Sequence, residues 1–117
     1  AAGPRAYITS APPAAAPNPG TEAALRSLVA GLASGSPDYA KLAPPFAGVV
    51  RGDLPWTHGL FSSLGELKSM TFRGRGAQGD DVYTLVFANG EMTMSAGLDP
   101  AGRMDRGILK PVRLPVR

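Results

Sequence analysis

From Glu22 to Gly65 the apolar residues of this chain return every three or four positions, and from Leu67 to Val112 they return every second position. That change of period divides the chain into a helical half and a β half. Leu25, Leu28, Val29 and Leu32 stand at i, i+3, i+4 and i+7, one stripe of an amphipathic helix. Thr21 is placed to cap it, Glu22 suits the positive first turn, and Gly35 is the natural stop. Three shorter helical pieces are expected behind it. Ser36-Pro37 opens a turn to Leu42, and Pro44-Pro45 opens a segment over 46–51 with Phe46, Val49 and Val50 on one side. Asp53 is expected to cap a last piece over 54–64, with Pro55 in its first turn, where a missing N–H is harmless. Trp56, Leu60, Phe61 and Leu64 would form its buried face, and Gly65 would end it.

The β half reads as four strands. In "KSMTFRG", Met70 and Phe72 share one face, with Ser69, Thr71 and Arg73 on the other. "VYTLVFA" is β-branched and aromatic with apolar residues on both faces, the pattern of a central strand. "EMTMSAG" sets Met92, Met94 and Ala96 against Glu91, Thr93 and Ser95, and "RMDRGILKPV" is the fourth strand, ending near Pro111. Their connections are short: a Gly-rich "GRGAQGDD", an Asn89-Gly90 hairpin signal, and a turn at Asp99-Pro100-Ala101-Gly102. Short connections give an antiparallel meander. The expected class is α+β, with N-terminal helices packed on one face of a curved four-stranded antiparallel sheet.

Composition narrows the picture. Residues 1–20 are mostly Ala, Pro and Gly, too poor in buryable surface to offset the entropy of ordering, and read as a linker or tail. Within it only Tyr7-Ile8 is apolar enough to dock as an extra edge strand. Residues 21–113 then form one domain and residues 114–117 a C-terminal tail. The chain has no Cys and one His, which excludes disulfides and thiolate metal sites, and its acids show no metal-ligand spacing. No cofactor or metal is expected. No window is apolar enough to span a membrane. An Ala/Pro-rich start resembles the segment behind a removed signal or between two domains, so an exported, periplasmic or secreted protein is expected.

The net charge of +3 is dispersed: four basic and three acidic residues stand in 1–65, eight and six in 66–117. The nearest approach to a basic stripe, Arg103, Arg106, Lys110, Arg113 and Arg117, is broken by Asp105 and lacks interleaved aromatics. Nucleic acid is therefore not an expected partner. The "GRGAQG" loop joins two strands, so it lacks the helix N-terminus of a phosphate cradle.

Several points in the chain resemble the small cystatin-like domains of the nuclear-transport-factor-like (SnoaL-like) group, of the type found beside secreted serine hydrolases of the β-lactamase-related or peptidase kind. They are Leu64-Gly65, Leu67-Lys68-Ser69, Phe72 and Gly74, Gly79 to Tyr83, Phe87, Asn89-Gly90, Leu98-Asp99 and Gly102. Upstream, "GSPDYAKLAPPFAGVVR" is similar to the group's short helices, so the likeness covers residues 22–112. It implies a cone in which a curved sheet wraps a helix, often with dimerisation through the sheet's exposed face. It implies no activity, since such accessory domains generally have no assigned chemistry while related folds host isomerases, dehydratases and cyclases.

Proton-transfer chemistry on such a fold needs a carboxylate in apolar surroundings beside an oxyanion-stabilising group. Asp80, Asp81 and Asp99 are placed in turns, Asp105 comes just after one, and Glu91 borders a hairpin. Asp38 and Asp53 read as caps or first-turn acids, Glu66 as a corner and Glu22 as an exposed first-turn residue. None falls mid-strand on an apolar face. Tyr83 shares a face with Leu85 and Phe87 and reads as a core residue with its hydroxyl at the rim. Tyr39 reads as a packing residue over the sheet and Trp56 as a buried anchor. His58 has no orienting acid, and no nucleophile elbow is present, so it is expected on the polar or rim side of its helix.

Tyr83, Leu85, Phe87, Met92, Met94, Tyr39 and Trp56 are the expected lining of any pocket, the two Met being adaptable fillers of core or ligand site. No catalytic residue is assigned. The expected function is a non-catalytic accessory or small-ligand-binding domain, with a hydrolase or other protein and a small apolar ligand as partners. The alternatives are an isomerase- or cyclase-like enzyme using Tyr83 and an acid, and a dimerisation or scaffolding domain. The last would use an outer sheet face carrying Ser69, Thr71, Thr84, Val86, Thr93 and Ser95.

Overall fold

The computed structural model describes residues 16–76 and 79–115. Helix α1 (Thr21–Ser34), a 3-10 turn (Tyr39–Lys41) and helix α2 (Pro44–Leu64) precede strands β1 (Leu67–Arg75), β2 (Asp81–Phe87), β3 (Gly90–Leu98) and β4 (Met104–Arg113). The strands pair antiparallel in the order β1-β2-β3-β4, the expected meander, and the class is α+β with helices first. Register shifts leave Lys68 and Arg73 of β1, and Asp105 and Val112 of β4, as extra residues in the ladders, bulges that bend these two strands. The Tyr7-Ile8 pair and the Ala/Pro tract up to residue 15 lie outside the described residues, as do 116–117 of the tail.

The α1 stripe is buried as its spacing demands, with Leu25, Leu28, Val29 and Leu32 all in the core. Its start differs from expectation. Gly20, at φ +87°, is the N-cap, and Thr21 is the first helical residue, fully buried, its hydroxyl unbonded among the described residues. The preceding residues are tied to the sheet: Asn18 donates its backbone N–H and Nδ2 to Asp81, at 2.8 and 3.3 Å. Gly35 ends the helix at φ +85°, donating its N–H to the Gly31 carbonyl. After it, Asp38, not Ser36, caps the 3-10 turn by accepting from the Ala40 N–H.

Two expected helical pieces are one. α2 runs unbroken for 21 residues from Pro44 to Leu64, so Pro55 is interior and Asp53 caps nothing. At about 100° per residue, Pro55 falls about 180° from Phe46 and Leu64, on the side away from the sheet. The carbonyl that loses its N–H donor there belongs to Arg51, an exposed residue, so water can serve it. A proline on the solvent side thus interrupts one hydrogen bond without ending the helix. The continuous stripe that results is Phe46, Val50, Asp53, Thr57, Phe61 and Leu64, of which Val50, Thr57, Phe61 and Leu64 are buried.

Against these helices the sheet presents Tyr83, Leu85 and Phe87 from β2, Met92, Met94 and Ala96 from β3, and Met104 from β4, all buried. Phe61 meets Phe87 edge to face at 5.8 Å and Phe72 lies tilted on Tyr83 at 5.5 Å. The β2–β3 hairpin forms one residue early, with Ala88 and Asn89 in its loop and Gly90 already paired to Phe87. Its loop is held by α2: the Asn89 N–H donates to the Leu64 carbonyl and its Nδ2 to the Ser63 carbonyl. Gly90 is needed for closeness, since a Cβ there would sit 2.6 Å from the Arg113 carbonyl oxygen and run into Leu64.

Candidate functional site

Where α2 crosses β3 and β4, helix and sheet part and leave a groove of about 170 Å³. Leu28 and Leu32 of α1, Phe46, Val50 and Thr57 of α2, and Met94 and Leu109 of the sheet line its interior. Gly107 makes it possible: a Cβ at that position would lie 2.9 Å from the Phe46 Cζ, so the aromatic ring reaches over β4 only because the strand has no side chain there. The mouth is open, with Val49 56% and Trp56 60% exposed. Asp53 also lines it. Its carboxylate enters none of the ion pairs among the described residues.

Of the seven residues expected around a pocket, Met94 and Trp56 border this groove. Trp56 is a rim residue and not the buried anchor its spacing suggested, because the α2 stripe is set by the whole helix and leaves position 56 at its edge. Tyr83, Leu85, Phe87 and Met92 are enclosed in the core. Tyr39 is half-buried, packed against that core, with the Arg51 guanidinium 4.3 Å over its ring. The residues missing from the expected set are chiefly Asp53, Gly107 and Leu109. A single acid in phase with Phe46, Val50, Phe61 and Leu64 was the available signal, and it was masked by the reading of Asp53 as a cap.

An acid does lie on the apolar face beside Tyr83. Asp81 is the first residue of β2, not part of the turn, and is fully buried two positions before Tyr83 on the same face. Its carboxylate is already engaged, accepting from Asn18 and facing Arg75 Nε at 3.5 Å. The Tyr83 hydroxyl is not at the rim: it is buried and makes no hydrogen bond among the described residues. Burial, then the charges of Asp81 and Glu22, push the phenol above its usual range, with Arg26 opposing. Neither residue borders the groove.

The outer sheet face collects the residues expected there. Thr71, Thr84 and Thr93 form a row across three strands, and Ser69 pairs with Val86. A shallow trough of about 270 Å³ lies on this face, lined by Asp80, Val82, Thr93, Ser95, Ile108 and Lys110. Its acid is taken: Arg106 donates Nε to Asp80 at 2.8 Å with Nη2 on the same oxygen, and this bond raises the Arg106 pKa.

His58 has a structural partner that the sequence did not disclose. Its Nδ1–H donates to the Leu32 carbonyl at 3.0 Å, and the Ser62 hydroxyl donates to the Ala33 carbonyl at 3.2 Å. Both acceptors belong to the last turn of α1, where helix geometry leaves carbonyls without N–H donors. Two residues of α2, four apart, cap the end of α1.

Among the described residues no group of three or more His, Cys, Asp or Glu is placed to hold a metal ion, and no helix is long and apolar enough to cross a membrane. Comparison of the chain with protein-family models, with curated proteins and with solved structures finds no match.

Proposed function

We propose that this domain is a non-catalytic small-ligand-binding module whose site is the groove between α2 and the β3–β4 half of the sheet. The observation that carries the reading is an apolar cavity with two large apolar side chains, Val49 and Trp56, left uncovered at its mouth. Its volume of about 170 Å³ resembles the roughly 150 Å³ apolar cavities that take up benzene. A benzyl-sized group fits, and Met94 supplies an adaptable wall. An isomerase- or cyclase-like role would centre on Tyr83 and Asp81, which are enclosed and in part already bonded, and is the weaker reading. The accessory role beside a hydrolase is the setting that the cystatin-like resemblance suggests for such a module.

The test is titration with benzyl alcohol followed by methyl NMR. Saturable shifts confined to Met94, Leu109, Val49 and Val50 are expected, weakened several-fold by Trp56→Ala. Absence of saturable shifts at these groups would remove the reading. A second reading, a homodimer through the outer sheet face, is favoured by Ile108, 59% exposed and in one cross-strand row with Ser95 and the half-buried Val82, on a face no described helix covers. Light scattering at micromolar concentration decides it, a strict monomer being the result against it.

A further inference from the structure

We infer that the natural ligand of the groove is a hydrophobic cation, a small amine or quaternary ammonium on a benzyl-sized apolar body. This rests on the groove being the binding site. Periodicity puts Asp53 in the middle of the α2 stripe, between Val50 and Thr57, at a position that an apolar residue would fill if the sheet covered it. It stands at the mouth, and no Lys or Arg among the described residues pairs with it, although the chain as a whole is basic.

Trp56 lies three residues on, hence on the same side of the helix, and its indole is mostly exposed. A carboxylate and an indole face at one opening are the two groups that attract an organic cation, the first by charge and the second by its ring quadrupole. Below them the wall is apolar but for Thr57, whose hydroxyl is spent on the Asp53 carbonyl at 3.1 Å. Such a wall suits a hydrocarbon body and disfavours a second polar end. The volume limits that body to about one six-membered ring. That limit favours a small molecule as occupant.

The experiment compares three probes of one shape: benzyltrimethylammonium, benzyl alcohol and phenylacetate. Binding is read from emission of Trp56, the only Trp of the chain, and from the Leu109 and Met94 methyl resonances. The cation should bind about ten-fold tighter than the alcohol, and phenylacetate weaker than both. Asp53→Asn should remove most of the cation's advantage over the alcohol and leave only the part the Trp56 ring supplies, with an unchanged thermal melt showing that the fold is intact. Equal affinity for the three probes, or a cation preference that Asp53→Asn leaves undiminished, would overturn the inference and leave the groove reading standing. No response of the groove methyls to any probe would overturn the groove reading itself. Trp56 emission that depends on protein concentration without probe would assign the groove to a second copy and also overturn the inference.

Discussion

Tyr83→Phe removes one oxygen atom from the centre of the molecule, and the structure predicts that the protein becomes more stable. The ring stays where it is, tilted on Phe72 at 5.5 Å, so packing is preserved. The oxygen it loses is buried and has no hydrogen-bond partner among the described residues. A buried hydroxyl left unpaired costs about 1–3 kcal/mol. Its removal should return at least about 1 kcal/mol, raising Tm by about 4–8 °C for a domain of this size.

The same hydroxyl gives a second, pH-dependent reading. Burial and the charges of Asp81 and Glu22 raise its folded pKa above the unfolded value. Between the two values the unfolded chain has released a proton that the folded chain keeps, so stability falls as pH rises. The loss begins near the unfolded tyrosine value of about 10. Urea unfolding monitored by circular dichroism, on wild type and Tyr83→Phe at neutral pH and at alkaline pH, tests both. The advantage of the variant should be present at neutral pH and widen on the alkaline side. Destabilisation by more than about 1 kcal/mol would mean that the hydroxyl is bonded after all, since loss of a satisfied buried hydrogen bond has that size. The premise of an orphaned polar atom would then be refuted.

Three more outcomes rest on the same geometry. His58→Ala should destabilise the protein by about 1–2 kcal/mol in urea unfolding, by leaving the Leu32 carbonyl at the end of α1 without its side-chain donor. An unchanged midpoint would show that water serves that carbonyl. Pro55→Ala should stabilise by roughly 1–2 kcal/mol, because the restored N–H can bond the Arg51 carbonyl and the gain exceeds the unfolded-state entropy that the proline had removed. Asp99 is held below the usual carboxylate range, foremost by the Arg103 backbone N–H, with the Arg103 charge and the Ala101 N–H adding to it. Its contribution is therefore present above the unfolded carboxylate value of about 4 and is lost as pH falls through the lower folded value. Unfolding curves of wild type and Asp99→Asn should differ at neutral pH and converge in acid.

How much of this was legible in the sequence depended on whether local signals and long-range packing agreed. The meander was legible because alternation, turn residues and strand length all gave the same answer from Leu67 to Arg113. The α1 stripe was legible for the same reason, and so were the helix stops at Gly35 and Gly65, where φ is positive. The start of α1 was not, because Thr21 carries a cap-forming side chain but is drawn inside, while Gly20 takes the cap position. The turn at Asn89-Gly90 shifted because Asn89 is bonded to the end of α2, a contact with no trace in the local pattern. Asp81 was misplaced by one residue, from turn to strand, and one residue in a strand changes which face a side chain occupies.

The groove shows how a single misread residue hides a site. Asp53 with Pro55 two residues on carries every local mark of a helix start, and a helix starting there would turn Trp56 toward the core. The helix had already started at Pro44, so its phase was fixed by Phe46 and Val50 before the chain reached Asp53. In that phase Trp56 lies at the edge of the stripe and Asp53 near its middle. A charge is tolerated on an apolar stripe only where nothing covers it, which makes Asp53 a marker of the place where α2 and the sheet diverge. Gly107 marks the same place from the strand side, since its missing Cβ makes room for Phe46. An acid on α2 and a glycine on β4, far apart in the chain, each look like a local defect. Brought together, they form the mouth and the floor of one opening, with the lone Trp on its rim.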